Sequence, residues 1–309
     1  MKDSYVMVRF SVIMTTYNGS ATIGAALDSI LNQEGRGVNF ELEVFVVDDH
    51  STDNTLEVLA SYQDIQVLQT KANTGGPNTG RNIGLKACTG DWICIADHDD
   101  LWEPFKLEKL LPHLDAAPIL TSGYTLIDQQ KGTETVRIRF PEEHIKHFPA
   151  NATFASKLSK SKQGQNTYLG AIVYQSSLKH ILFEEEHGMV DFDWVVRLFE
   201  GQHSAEIAES LYIRIVEGSN LSLNPRYREI DFNYSMSFAA QYKDRYPALY
   251  KLATRRLHGS RARYFYLIGD MKQARQFLRK APLDLKTVLY FVTSYVGANW
   301  VKKNFNIFG

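Results

Sequence analysis

Three acidic side chains within four residues, Asp97, Asp99 and Asp100, follow directly after the short apolar run 93–96. Neighbouring carboxylates repel one another, so the cluster is costly unless a cation neutralises it. Hard divalent ions such as Mg²⁺ and Mn²⁺ take oxygen ligands and commonly share them with phosphate groups. A solvated acidic turn is the other interpretation, because Asp is frequent in turns. The cluster therefore indicates a candidate site for Mn or Mg.

Two more polar clusters follow apolar runs nearer the N-terminus. Residues 15–18, with the sequence Thr-Thr-Tyr-Asn, come directly after the run 10–14, and the pair Asp48 and Asp49 follows the run 42–47. Runs of this length and composition are typical of buried strands. The clusters are thus expected at strand ends, although the first could also be no more than a strand-ending turn.

Helix-like segments separate these strands. An amphipathic pattern covers residues 21–32, a second surrounds Leu56 and Leu59, and a third runs from about Arg81 to Cys88 after a glycine-rich loop. This alternation of strand and helix predicts an α/β fold with a doubly wound, mostly parallel sheet. Because ligands bind beyond the carboxyl ends of such strands, all three polar clusters are expected to face one crevice.

Composition is that of an ordinary globular protein. The chain has 309 residues, of which 44% are hydrophobic and 22% charged, so a sizeable core is expected and disorder is not. Its two cysteines, Cys88 and Cys94, form no CxxC pair, which argues against a disulfide framework or a thiolate zinc site. No secretory signal and no apolar run long enough to span a bilayer is found. A cytoplasmic location is expected.

Positive charge is concentrated in the C-terminal part. Residues 251–309 carry 12 Lys or Arg against two acids, a net charge of +10, while the first 250 residues carry −11. A basic tail suggests an anionic membrane or an acidic face of the same protein as partner, and no motif points to nucleic acid. One apolar helix face is formed by Leu285, Val288, Leu289, Val292 and Val296. With Trp300 nearby, it suits the inner membrane surface, packing on the catalytic domain, or a homo-oligomer.

Four ordered motifs carry a family resemblance. They lie at residues 10–18, 46–54, 80–84 and 97–102. Together they resemble the N-terminal half of family 2 glycosyltransferases, which are inverting enzymes of the GT-A fold. The resemblance covers residues 10–223 and implies a Rossmann-like, mixed and mostly parallel sheet, followed here by a helical C-terminal extension.

The same resemblance suggests a domain plan. A catalytic domain over 1–223 is expected to divide into a nucleotide-binding half at about 8–102 and an acceptor half at about 103–223. The basic helical extension then occupies 224–309.

The resemblance implies that the donor is a nucleotide sugar, usually a UDP-sugar, held with a divalent metal. Asp97 and Asp99 match the DxD pair, with Asp99 as the most direct metal ligand and Asp97 on the ribose or metal-bound water. His98 either touches the diphosphate or has no role. Asp49 matches the residue that reads the uracil edge, for which an acceptor-only carboxylate is suited. The implied nucleotide-binding set is Thr15, Thr16, Tyr17, Asp49, Arg81, Asp97 and His98.

The resemblance also supplies a general base, although two positions depart from the family pattern. Asp191 matches the base, but Val190 stands where Glu is usual. Near the end of the motif Tyr212-x-Arg214, Val216 and Glu217 replace a usual His, which leaves Glu217 as a substitute for a third metal contact.

Acceptor recognition is expected between residues 103 and 223. Aromatic side chains can stack on a sugar ring, although aromatics at such positions are also common in cores. The candidate acceptor residues are Trp102, Tyr168, Asp193 and Trp194. Asp193 alternatively supports the start of a helix, and the polar stretch 156–167 is predicted to be a mobile loop.

The predicted function is inverting transfer of a sugar from a nucleotide sugar to a saccharide or lipid-linked acceptor, in surface polysaccharide or glycolipid synthesis. The alternative is a non-catalytic homologue that binds a nucleotide or a partner protein through the same fold.

Overall fold

The computed structural model describes residues 7–161, 164–216 and 224–296. These residues form two compact units, the first of residues 7–154 and 164–216, the second of 155–161 and 224–296. The predicted roles of Glu217 and Trp300 fall outside the described residues.

The first unit begins with a parallel half-sheet flanked by helices. Its elements are β1 (Val8–Thr16), α1 (Ile23–Leu31), β2 (Phe40–Asp48), α2 (Thr55–Ala60), β3 (Gln66–Gln69), α3 (Asn78–Ala87) and β4 (Trp92–Asp97). The strands pair in the order β3-β2-β1-β4, all parallel. This is the strand and helix alternation predicted from the sequence.

The second half of this unit makes the sheet mixed. Its elements are β5 (Leu101–Trp102), α4 (Lys106–Leu110), β6 (Ile119–Asp128), β7 (Thr133–Arg137), β8 (Ile145–Phe148), α5 (Ala152–Leu158), β9 (Val173–Gln175), α6 (Phe192–Phe199) and β10 (Ser204–Val216). Strand β9 joins the halves by antiparallel pairing with both β4 and β6. Strand β10 pairs parallel with β6 and antiparallel with β5 and β8.

The register of β1 brings the predicted polar clusters together. Thr16 lies opposite Asp48 of β2, and Thr15 lies opposite Asp97 of β4. Strand β1 is buried on both faces from Phe10 onward, as parallel strands covered by helices are. The three clusters therefore meet at one edge of the sheet, as expected.

Helix α3 packs closely on β1 at Gly84. A Cβ atom at Gly84 would overlap Cγ2 of Ile13. We expect Gly84→Ala to destabilise the protein by about 1–3 kcal/mol, because overpacking outweighs the gain in helix propensity. Urea denaturation measures the change, with Lys86→Ala on the exposed side of α3 as control. An unchanged midpoint for Gly84→Ala would show that α3 can move away from β1 at little cost.

The described parts of the segment 156–167 are helical at one end and buried at the other, unlike the mobile loop that its polar composition suggested. Helix α5 includes its beginning, and Gln165 and Asn166 at its end are buried. Gln165 Nε2 donates to Thr121 Oγ1 at 3.0 Å, and Asn166 Nδ2 donates to the Ser122 carbonyl at 2.6 Å. These polar side chains satisfy buried groups of the sheet, a role that composition alone does not reveal.

Glu206 of β10 lies in the same network. It accepts a hydrogen bond from the Asn166 backbone N–H, and burial raises its pKa to about 7. The folded state thus holds this proton more tightly than the unfolded chain, whose Glu pKa is about 4.3. The resulting stabilisation is complete below about pH 4.3 and is lost as the pH rises through about 7.

Glu206→Gln should therefore stabilise the protein at pH 8, by on the order of 3 kcal/mol, and change it little at pH 5. Melting curves at the two pH values measure this difference, and Glu209→Gln on the same strand, with a side chain 42% exposed, is the control. Equal effects of Glu206→Gln at both pH values would contradict the raised pKa.

The second unit contains four helices, which confirms the predicted helical C-terminal region. They are α7 (Pro225–Ala240), α8 (Pro247–Leu267), α9 (Met271–Leu278) and α10 (Leu285–Thr293). Side chains of Asn224, Asp270 and Asp284 cap the first, third and fourth of these helices. A small core forms around Tyr266 and Tyr290. Within the described ranges, no helix is long and apolar enough to cross a bilayer.

Candidate functional site

Arg81 joins the glycine-rich loop to the acidic cluster. Its Nη2 donates to Asp97 Oδ1 at 2.9 Å, and its Nη1 donates to Asn78 Oδ1 at 3.1 Å. The guanidinium lies 5.2 Å from the centroid of the Phe183 ring. The structure thus pairs Arg81 with the acidic cluster.

Asp100 turns away from the other two carboxylates of the cluster. The Tyr212 hydroxyl donates to its Oδ2, and the Ile215 backbone N–H donates to Oδ1 at 2.7 Å. Burial, followed by the charges of Asp97 and Asp99, raises the pKa of Asp100 to about 7. Asp100 thus fixes the turn against β10, while the partly exposed Asp97 and Asp99 carry the negative charge of the site.

The donor set at this strand end fits a divalent cation that shares its ligands with a phosphate group. Mg²⁺ is usually held by one or two carboxylates, with phosphate oxygens and water completing its shell. Asp97 and Asp99 supply two carboxylates, and after burial their charges add to the rise in the pKa of Asp100. Among the described residues, no group of three or more His, Cys, Asp or Glu side chains forms a complete metal site. Val216, where the family pattern has His, ends β10 with an apolar side chain.

His98 is docked on the end of β1. Its Nδ1 lies 3.2 Å from the Thr15 carbonyl. A carbonyl only accepts, so Nδ1 must carry the hydrogen in this contact. The ring therefore fixes the acidic turn to the neighbouring strand, an interaction that the sequence did not indicate.

Asp49 is buried and anchors the glycine-rich loop. Its carboxylate accepts from the Thr74 backbone N–H at 3.0 Å, the Thr74 hydroxyl at 2.9 Å and the Thr70 hydroxyl at 3.0 Å. A carboxylate offers about four acceptor positions, so these bonds leave capacity for a ligand donor. Its neighbour Asp48 accepts from the Ser51 N–H at 3.1 Å and so caps the following turn.

The three residues at the end of β1 differ in accessibility. Thr15 and Thr16 are buried, whereas Tyr17 is 44% exposed. The Thr15 and Thr16 carbonyls are already acceptors for His98 and for the Asp49 N–H. Of the three, Tyr17 presents the largest surface to a ligand.

Asp191 stands at the N-terminus of α6 with its side chain uncommitted. It is partly exposed, and its carboxylate does not cap the helix. Within the described part of the chain, no hydrogen bond or ion pair engages that carboxylate. An acceptor carboxylate of this kind is what a general base requires.

Two asparagines that sequence reasoning missed hold the segment before Asp191 against α3. Asn78 Nδ2 donates to the carbonyls of Glu184 and Val190, both at 2.9 Å. Asn82 exchanges two bonds with the backbone of Phe183, at 2.8 and 2.9 Å. Both asparagines lie in or beside the motif at 80–84, so that motif was the available signal.

These bonds connect Asp191 to the acidic cluster through a series of contacts. Asp97 pairs with Arg81, Arg81 bonds to Asn78, and Asn78 bonds to Val190, which precedes Asp191. A substitution that moves Asn78 would therefore affect both Asp97 and the segment before Asp191.

Three of the four candidate acceptor residues are core residues instead. Trp194 is 0% exposed, stacks on Phe183 at 4.3 Å and donates its indole N–H to the Ile181 carbonyl. Trp102 is also buried. Neither ring can stack on a sugar in this conformation, which corrects the prediction.

Asp193 is corrected in the same way and fulfils its alternative, structural role. It is 1% exposed and pairs with Arg197 Nη2 at 2.7 Å. Tyr168 remains available, since it is 37% exposed and its hydroxyl accepts from Arg214 Nη1 at 3.0 Å.

A buried lysine under the acidic turn also escaped sequence reasoning. Lys106 Nζ donates to the Gly170 carbonyl at 2.6 Å and lies 3.7 Å from the Trp102 ring centroid. Burial lowers its pKa to about 8. It supports Trp102 and Tyr212, and Tyr212 in turn holds Asp100.

The sequence is similar to those of known proteins. The sequence model of Glycosyl transferase family 2 matches residues 11–184. Poly(ribitol-phosphate) beta-N-acetylglucosaminyltransferase TarS of Staphylococcus aureus is 40% identical over 97 residues, which are 30% of this chain and 17% of TarS. The similarly named TarP of the same species is 36% identical over 107 residues, 34% of this chain and 32% of TarP.

A third relative is the succinoglycan biosynthesis protein ExoO of Rhizobium meliloti. It is 39% identical over 106 residues, which are 34% of this chain and 29% of ExoO. The matched stretches span at most 32% of the length of these three relatives.

Solved structures extend the likeness over most of the chain. The crystal structure of S. aureus TarS 1–349 in complex with UDP-GlcNAc has a TM-score of 0.69 and 20% identity, and covers 93% of this chain and 89% of that chain. Another structure of TarS 1–349 has a TM-score of 0.65 with the same identity and coverage. At this identity the likeness concerns the fold, and it confirms the predicted GT-A architecture.

Proposed function

This chain belongs to glycosyl transferase family 2, and from that premise we propose that it transfers a sugar from a nucleotide sugar to a hydroxyl group, with inversion at the anomeric carbon. The observation that supports the proposal is that Asp97 lies opposite Thr15 at the end of β1, where the Asp49 N–H donates to the Thr16 carbonyl, and that Arg81 and Asn78 join Asp97 to the residue before Asp191. Asp49, Asp97 and Asp191 match a residue that recognises the nucleobase, a residue of the diphosphate site and a general base, respectively.

The proposed donor is a UDP-sugar. Asp49 has acceptor capacity for the uracil N–H, and the exposed Tyr17 ring offers a surface to the nucleoside. The structural neighbour TarS has been crystallised with UDP-GlcNAc, which supports this donor class.

Asp97 and Asp99 are the residues that would hold Mn²⁺ or Mg²⁺ together with the diphosphate. A bound divalent ion would neutralise charge that develops on the leaving pyrophosphate. Arg81 keeps Asp97 in place through their 2.9 Å ion pair. Asp100 keeps the turn in place through its bonds to Tyr212 and Ile215.

Asp191 is the proposed general base. Its carboxylate takes the proton from the acceptor hydroxyl as that oxygen attacks the anomeric carbon. The new carbon–oxygen bond forms as the bond to the diphosphate oxygen breaks on the opposite face, so the configuration inverts. The bonds from Asn78 and Asn82 to residues 183–190 position this base.

The proposed acceptor is a hydroxyl of a surface polysaccharide, a polyol-phosphate polymer or a glycolipid. Two relatives are named for poly(ribitol-phosphate) and one for succinoglycan biosynthesis. Tyr168, with Arg214 beside its hydroxyl, is the exposed aromatic side chain available to such an acceptor.

A panel of nucleotides tested by thermal shift, with and without Mn²⁺, examines the proposal. We expect the melting temperature to rise with UDP and Mn²⁺ together, and less with GDP or dTDP. If UDP, GDP and dTDP all leave the melting temperature unchanged in the presence of Mn²⁺, the nucleotide assignment is wrong.

A non-catalytic, nucleotide-binding homologue is the second candidate. The departures from the family pattern at Val190 and Val216 favour it, and the uncommitted carboxylate of Asp191 argues against it. Slow release of UDP from a UDP-sugar with water as acceptor would distinguish the enzyme from a binding protein.

Contact with an anionic membrane, at the inner face of the cell membrane, is a further part of the proposal. Helix α10 exposes Leu285, Val288, Leu289 and Val292 along one side. An exposed apolar stripe in a basic region suits the membrane interface.

The double substitution Val288→Ser and Val292→Ser should weaken binding to phosphatidylglycerol vesicles by at least about tenfold, because two apolar side chains leave the interface. Co-sedimentation measures it. Two exposed valines of the first unit, replaced as Val67→Ser and Val136→Ser, are the control. Equal sedimentation of both double variants would discard membrane contact through this face.

A further inference from the structure

A cavity of about 560 Å³ is lined only by residues of the second unit, none of which belongs to the site described above. Six cationic side chains and two acidic ones line it. The cations are Lys160, Arg228, Arg256, Arg261, Arg263 and Lys286, and the acids are Asp231 and Asp284. The excess of positive charge indicates an anionic ligand.

The two acids accept hydrogen bonds from their own helices, and the negative charge of Asp284 also acts on Arg263. Asp284 caps α10 by accepting from the Thr287 N–H at 2.7 Å, and Asp231 accepts from the Ser235 hydroxyl at 3.2 Å. In the described part of the chain, no ion pair involves Arg228, Arg256 or Arg261.

Arg261 is the most unusual of these side chains. Its Nε and Nη1 atoms are buried and have no hydrogen-bond partner among the described residues. Its guanidinium lies 4.8 Å from the Phe265 ring centroid and 5.7 Å from that of Phe232. Aromatic rings hold the planar group in place while leaving its N–H donors unsatisfied, which is costly unless a ligand accepts from them.

Phosphate is an anion that suits this arrangement. It offers several strong acceptor oxygens, and the planar fork of arginine binds such groups with two parallel hydrogen bonds. Arg256 is held at the cavity by bonds from its Nη1 to the Ser159 carbonyl and hydroxyl, at 2.8 and 3.2 Å. Arg256 and Arg261 both line the cavity, so both guanidinium groups are available to a phosphate group bound there.

We propose that this cavity binds a phosphate group of the acceptor, which would then be a phosphodiester-bearing polymer. The identity of this occupant rests on the proposed transfer reaction. A polymer has repeated phosphates, so one can be held by the second unit while a hydroxyl further along the chain reacts.

A lipid headgroup fits the geometry less well. At 100° per residue, Lys286 and Tyr290, which line the cavity, lie about 100–160° around α10 from the exposed Leu285 and Val292. A membrane in contact with the apolar stripe would leave the cavity facing away from the lipid.

The test measures binding of a synthetic glycerol-phosphate oligomer to the full chain by calorimetry. Arg261→Gln and Arg256→Gln should each weaken binding by about tenfold or more, since each removes a charge-assisted contact. Arg255→Gln, the exposed neighbour on α8 that does not line the cavity, should bind as the unmodified protein does. If Arg261→Gln does not fold, as judged by circular dichroism, Arg228→Gln replaces it.

The outcomes separate this inference from the proposed function. Equal binding by all variants, or no binding of the oligomer, would overturn the inference. Phosphatidylglycerol vesicles that bind in an Arg261-dependent way while the oligomer does not would also overturn it, in favour of a lipid. All variants should keep the melting shift with UDP and Mn²⁺. If the unmodified protein shows no melting shift with UDP and Mn²⁺ but still binds the oligomer, the transferase assignment is refuted and the phosphate site is not.

Discussion

Replacement of Asp191 by Asn is expected to lower kcat for sugar transfer by about 10²–10⁴-fold, the usual contribution of a general base. Asn keeps the size of the side chain but cannot take a proton at neutral pH. The carboxylate caps no helix, so the substitution should leave the melting temperature nearly unchanged. Donor binding, measured as the melting shift with UDP and Mn²⁺, should persist.

A matched control for Asp191→Asn lies in the same segment. Glu186 is an exposed acid that precedes the base by five residues. Glu186→Gln should retain full transfer activity, which would exclude a general effect of lost negative charge. Turnover retained by Asp191→Asn would refute its role as base, and loss of donor binding would assign it to the nucleotide instead.

Asp99→Ala is expected to lower the transfer rate by about 10²–10³-fold, because it removes one carboxylate from the site that stabilises the leaving diphosphate. The melting shift given by UDP with Mn²⁺ should fall to the level given by UDP alone. Addition of Mn²⁺ is therefore expected to leave UDP binding by this variant unchanged.

The control for Asp99→Ala is Asp115→Ala, an exposed acid of the first unit outside the site. It should keep both the activity and the metal-dependent shift. If Asp99→Ala binds UDP with Mn²⁺ as the unmodified protein does, the metal is held elsewhere, and the assignment of Asp97 and Asp99 is wrong.

The parallel half of the fold was predictable because local signals and long-range order agree there. Strands β1, β2 and β4 each contain a short apolar run that ends in turn-forming polar residues. Chain order then fixes where the ends lie, since crossover connections in parallel sheets have one hand. Thr15 opposite Asp97 is the direct result.

The sequence did not show which of the candidate acceptor residues are buried. Trp194 and Trp102 carry the same signal whether they stack on a sugar or on the core, and only their neighbours decide. Phe183 and the Ile181 carbonyl enclose Trp194, and Lys106 packs on Trp102. Asp193 was ambiguous for the same reason, because its partner Arg197 appears only once α6 is formed and packed.

The contacts that position the site were also hidden. Asn78 and Asn82 lie about 100 residues before the backbone groups they bind, at sequence separations of 101 to 112. No local pattern specifies such pairs. The motif around Arg81 identified the right helix, but its bond to Asp97 and the link to Val190 required the fold.

The most direct measurement is a crystal structure of the protein soaked with a non-hydrolysable UDP-sugar and Mn²⁺. The account predicts the uracil N–H on Asp49, the diphosphate and metal on Asp97 and Asp99, and the anomeric carbon facing Asp191. A nucleotide bound elsewhere, or a crevice filled by the protein's own side chains under saturating ligand, would contradict it.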